Sequence, residues 1–147
     1  MQENSEIYAK FPCILRKKFE DGILNFPDGT RFKYQEIPAY RVVKRQRDDN
    51  SPINRDDFRS YFELGQRPKP RGCSNDLLSD PTYYGVSCST DRRELEQIMN
   101  FPRPNKKMAF GSVFSSGGPS YTKGNHICWW LYENVDIGEH WALDTIT

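Results

Sequence analysis

The stretch Tyr83–Met99, YYGVSCSTDRRELEQIM, decides how this chain is read. Its aromatic and β-branched opening, Tyr83–Ser87, has the composition of a strand. A polar corner follows at Ser87-Cys88-Ser89-Thr90-Asp91, and then a helical pattern runs to about Met99 with Leu95, Ile98 and Met99 on its inner face. Ser89, Thr90 or Asp91 can cap that helix. With Asp91 as cap, Glu94 falls at the third helical position, as in a capping box. A strand-to-helix corner of this kind exposes hydroxyls and backbone N–H groups at a helix N-terminus, where anions are favoured. On a regular strand Ser87 and Ser89 share one face.

Working outward from this corner, the chain alternates short apolar runs with turn signals. On the N-terminal side, residues 1–9 read as a flexible tail. Cys13–Leu15, Ile23–Phe26 and Thr30–Tyr34 read as a three-strand meander, turning at Asp21-Gly22 and Pro27-Asp28-Gly29. Pro38 interrupts this run, and Ala39–Val43 is a further, central strand. Asn54–Leu64 reads as a helix with Phe58, Tyr61 and Phe62 near one face, capped by Ser51 or Asn54 and stopped at Gly65. Residues 66–82 form a long loop. On the C-terminal side, Met108–Phe114, His126–Tyr132 and Trp141–Ile146 read as strands, with a Gly/Ser/Pro loop at 115–124. The expected fold is α+β: a single domain over 1–147, with a mostly antiparallel sheet of about seven strands and two short helices.

Composition narrows the function classes. The 147 residues include nine Phe, eight Tyr and three Trp, so an aromatic core is expected. Mean hydropathy is −0.82, and no apolar run approaches the roughly 20 residues that span a bilayer. The polar start, Met1–Glu6, lacks a basic leader and points to a cytoplasmic protein. Net charge is +1, which gives no global electrostatic case for nucleic acid. Basic residues gather only locally, at Arg16–Lys18, Lys44–Arg47 and Arg67–Arg71. Cys13, Cys73, Cys88 and Cys128 make no C-x-x-C pair, and neither His126 nor His140 completes a ligand spacing. No metal site is expected, and the thiols read as small hydrophobes.

A few residues carry possible chemistry. Arg41 is a cation among apolar strand neighbours, and such a charge needs a partner or a ligand; a guanidinium suits phosphate or carboxylate. The hydroxyls of Ser87, Ser89 and Thr90 are placed to orient a ribose or phosphate, although capping alone accounts for Ser89 or Thr90. Glu133, Asp136 and Glu139 flank the last strands, where a carboxylate can serve as a general base. His126 and His140 can exchange protons near neutral pH, with no partner visible in the sequence. Trp130, Tyr121 and Tyr83 are candidates for an exposed aromatic patch.

Three of these features together resemble the ADP-ribosyltransferase fold. The strand Ala39-Tyr40-Arg41-Val42-Val43 is similar to that family's Arg motif. Ser87-Cys88-Ser89-Thr90 and the helix after it are similar to its Ser-Thr-Ser motif. The resemblance implies NAD as cofactor, bound by Arg41 with Ser89 and Thr90. It implies Ser87 in the nicotinamide pocket, and Glu139, or Glu133 behind it, on the ribose. Asp57–Ser60, Tyr84–Ser87 and His126–Trp130 also resemble segments of small bacterial proteins, which implies a bacterial or phage origin. The leading expectation is a non-catalytic module that binds a protein, through exposed aromatics, or a small ligand. The alternatives are an NAD-dependent transferase using Arg41, Ser87 and Glu139, and, behind it, a nucleic-acid binder.

Overall fold

A computed structural model describes residues 5–33, 35–46, 48–64, 80–99 and 105–143. Six antiparallel strands form one open sheet: β1 (Glu36–Lys44), β2 (Val86–Ser89), β3 (Lys106–Phe114), β4 (Ser120–Lys123), β5 (His126–Trp129) and β6 (Trp141–Leu143), in the spatial order β4-β5-β2-β1-β3-β6. Three helices accompany it: α1 (Ser5–Tyr8), α2 (Cys13–Glu20) and α3 (Arg92–Met99). The α+β class and the antiparallel sheet match the expectation. The strand count does not, and the N-terminal third explains why.

Cys13–Leu15 opens helix α2, not a strand. Phe11, Leu15 and Phe19 recur at four-residue spacing and are all buried, so the apolar period is helical. Arg16 and Glu20 pair across one turn at 3.1 Å. Asp21-Gly22, read as a hairpin turn, ends this helix. Gly22 adopts φ +76°, its N–H donates to the Phe19 carbonyl, and the Ile23 N–H donates to Lys18 at 3.0 Å. That is a Schellman closure, which needs the left-handed residue glycine supplies. The other two expected strands are absent: Ile23–Phe26 is irregular, and Thr30–Lys33 contributes one isolated bridge, Arg31 to Ser120. Tyr8, placed in the expected tail, stacks on Phe19 with ring centres 5.2 Å apart.

Four further differences have local causes. The expected helix 54–64 shrinks to one 3-10 turn, Arg55–Asp57, capped reciprocally by Asn54 and Asp57. Tyr83 and Tyr84 close another such turn, Pro81–Tyr84, so β2 starts only at Val86. The loop at 115–124 contains β4, which pairs with β5 from Ser120↔Trp129 to Lys123↔His126. Pro38 lies inside β1, opposite Ser112. β2 meets β1 only at Tyr40↔Ser89, so the missing N–H falls where β1 has a strand on one side.

Among the described residues two clusters of buried side chains hold the fold together. One covers a sheet face, with Ala39, Val43, Val86, Ala109, Val113, Ile127 and Trp129 beneath Phe58 and Trp141. The other joins the N-terminal helices to the sheet through Phe11, Phe19, Leu24, Tyr83, Tyr84 and Trp130. No helix among the described residues is long and apolar enough to cross a membrane.

Candidate functional site

The site follows from the short pairing of β1 with β2. Beyond Tyr40↔Ser89 no further residue pair joins the two strands, while β1 stays paired with β3 along its whole length. The Arg41 guanidinium fills the gap. Its Nη1 donates to the Ser87 carbonyl at 2.7 Å, its Nε to the Asp57 carbonyl at 3.0 Å and its Nη2 to the Arg59 carbonyl at 3.2 Å. One cation thus ties two strands to the 55–60 turn, where a ladder of backbone bonds would otherwise run. The guanidinium also lies over the Phe58 ring, 5.3 Å from its centre.

Every one of these partners is neutral. No carboxylate lies within ion-pair distance of Arg41 among the described residues. Burial lowers its pKa, with only weaker opposing help from charges such as Asp57. Three bonds leave two of a guanidinium's five N–H donors. Between the diverging strands opens a cleft of about 230 Å³, lined by Arg41, Val43 and Lys44 of β1, Gly85 and Ser87, and Asp57, Arg59 and Tyr61 of the turn. Nearby Asp57 is already spent, since both its carboxylate oxygens accept from Arg45, at 3.0 and 2.6 Å.

Adjoining the cleft at Tyr61, Gly85 and Ser87 lies a smaller cavity of about 150 Å³, also lined by Asp80, Thr82, His126 and Cys128. Here the Ser87 hydroxyl meets His126 Nε2 at 2.7 Å. Ser87 faces Cys128 in the ladder and Ser89 faces His126, so the contact is a diagonal one on a single sheet face. Desolvation lowers the pKa of His126, and the charge of Glu94 opposes that shift. The sequence showed each residue but not the pair, because 39 positions separate them and only the β2–β5 register joins them.

The remaining candidates are placed as follows. The Ser89 hydroxyl accepts from the Asp91 N–H at 3.0 Å and approaches Glu94 at 3.4 Å, inside the α3 cap. Asp91 is the cap itself, accepting from the Arg93 N–H at 2.9 Å. Thr90 is tied to Asn125 of the β4–β5 turn. Glu139 ends a 3-10 turn just before β6, three strand spacings from β2, or about 14 Å across the sheet. Arg41 and Ser87 therefore share a cleft, and Glu139 is not among the residues that line it. Glu133 lies 3.4 Å from Arg59. His140 stacks on Phe114. Among the described residues no cluster of ligating side chains could hold a metal ion.

The expected aromatic patch is not present as drawn. Trp130 is 0% exposed and Tyr83 8%, their rings being spent on the second core cluster. Among the described residues the exposed large apolar side chains are Ile14, Ile23, Tyr61, Leu64 and Phe110. Of the cysteines, Cys88 and Cys128 are buried and Cys13 is exposed. Burial pushes the Cys88 thiol up to about 12. Cys73 and the basic run Arg67–Arg71 lie outside the described residues, as do the side chains of Ile98 and Met99.

A larger cavity of about 560 Å³ lies between α2 and the 59–63 turn, lined by Ile14, Leu15, Phe62 and Tyr84. The charged groups at its rim, Arg59 and Glu63, answer each other at 2.8 Å. It offers apolar contact and no free charge, whereas the β1–β2 cleft offers the Arg41 guanidinium with no ion pair of its own among the described residues, beside Asp56 and Asp57, which pair with Arg59 and Arg45. Comparisons with family models, curated proteins and solved structures return no match for this chain.

Proposed function

We propose that this protein is a ligand-binding module that takes a small anion, a phosphate or carboxylate group, in the β1–β2 cleft on Arg41. The observation that supports it is the half-buried Arg41, its guanidinium held by three neutral carbonyls in a cavity wall with no carboxylate on it. An anion there would regain the Coulomb energy that burial costs the cation, and would find two N–H donors in a planar fork. Lys44 adds positive charge at the same wall.

NAD is one anionic ligand that would fit this reading. Glu139 does not line the cleft, so under this reading a ribose held near Ser87 would meet Arg59 and Tyr61 first. The test is thermal unfolding of wild type with inorganic phosphate, with NAD, and with chloride at matched ionic strength. Saturating phosphate or NAD at a hundred times its Kd would add about 2.7 kcal/mol through linkage. The rise should vanish in Arg41→Lys, whose single ammonium cannot reproduce the fork. Equal shifts with chloride, or an unchanged response in the variant, would overturn the proposal.

A further inference from the structure

We propose that Ser87 is a nucleophile, with His126 as its general base, and that the pair cleaves small activated carboxylic esters entering the cavity beside Asp80. Three observations converge. The hydroxyl and the imidazole are already at 2.7 Å, the distance a proton transfer needs. Both groups line one cavity of about 150 Å³, which also holds Tyr61, Asp80 and Thr82. Glu94 stands on α3, beside the Ser89 that faces His126 across the ladder, and its charge acts on the imidazole. A carboxylate so placed stabilises the imidazolium that forms during attack.

In the first step Ser87 Oγ bonds to the ester carbonyl carbon while its proton passes to His126 Nε2. The carbon–oxygen bond to the leaving alcohol then breaks, and the imidazolium returns the proton to that oxygen. Water repeats the sequence against the acyl-serine, so the net reaction is ester plus water to acid plus alcohol. The charged groups facing His126 are Glu94, Lys123 on the neighbouring strand and Asp80 in the cavity. Partial desolvation of the ring favours the neutral imidazole, the form that accepts the proton. This inference stands on a different pair of atoms from the anion site, and holds whether or not an anion occupies the cleft.

The experiment uses the full chain with an alkyl fluorophosphonate, which bonds to an activated serine with loss of fluoride, and reads the modified residue by peptide mass. Wild type should be modified at Ser87. The modification should be lost in Ser87→Ala and slowed about 100-fold or more in His126→Gln. The rate in wild type should fall as acid protonates His126, and turnover of p-nitrophenyl acetate should follow the same profile. No modification of wild type, a label that persists in Ser87→Ala, or a rate unchanged in His126→Gln would each overturn the inference. Labelling of wild type decides the matter even if a variant folds poorly.

Discussion

Arg41 and Arg45 sit four residues apart on β1 and its exit, and both reach the same short turn at 55–60. They differ in what answers their charge. Arg45 is 6% exposed and closes on two carboxylates, Asp57 at 2.6 Å and Asp49 at 3.2 Å, with the Ser51 and Pro52 carbonyls completing its shell. Its pKa is raised, the hydrogen bond it donates to Asp57 being the main cause. Arg41 hydrogen-bonds only to carbonyls, and its pKa is lowered by burial. Asp57 serves both, giving its carboxylate to Arg45 and its backbone oxygen to Arg41. The carboxylate that could have neutralised Arg41 is thus committed to its neighbour. Arg55 shows that carbonyl partners alone do not make a site, because it spends its donors on Phe58, Leu131 and Tyr132 and does not line the cleft. What separates Arg41 is a neutral shell and an open cavity at the same place.

The comparison can be broken by substitution. The largest effect is expected from Arg45→Met, which strands the Asp57 carboxylate, itself only 10% exposed, without its cation. Denaturant unfolding should show a loss of about 3–5 kcal/mol. Arg41→Met removes three bonds to neutral groups and should cost less, about 2 kcal/mol by the same measurement. Equal losses would mean that Arg41 is as purely structural as Arg45.

Two milder tests sharpen the picture around Ser87. His126 has a depressed pKa in the folded state, so the unfolded chain binds its proton more readily at acid pH. Its contribution to stability is complete above the ordinary histidine range and is lost as pH falls below it. Thermal unfolding of His126→Gln should show a weaker acid dependence than wild type between neutral pH and pH 5. The smallest effect is expected for Ser87→Ala. Its hydroxyl bonds only the exposed His126, whereas the Ser87 carbonyl that holds Arg41 is untouched. A change of about 0.5 kcal/mol or less is expected, with phosphate binding retained.

Much of the sheet was legible in the sequence because its strands alternate over a buried face. Ala39–Val43, Met108–Phe114 and the aromatic run from His126 all became strands, and the helix after Ser87 formed as read. The N-terminal third was misread where one signal fits two structures. Asp-Gly can turn a hairpin or end a helix, and Cys13-Ile14-Leu15 is too short to set a period without Phe11 and Phe19. The helix expected at 54–64 failed because Arg41, Arg45 and Arg55 hold that segment from the side. Such tethers cross up to 77 positions and leave no local pattern. Arg41 stood out as a charge among apolar residues and proved to line a cleft. The cleft itself could not be read, since it depends on β1 and β2 parting after one pair.

The most direct measurement follows the arginine Nε–H signals of wild type by NMR while inorganic phosphate is added at constant ionic strength. It needs no substitution and compares the two side chains within one molecule. A saturable shift of the Arg41 signal, with Arg45 unmoved, is the expected result. A static Arg41, or equal movement of both, would contradict an anion site in the β1–β2 cleft.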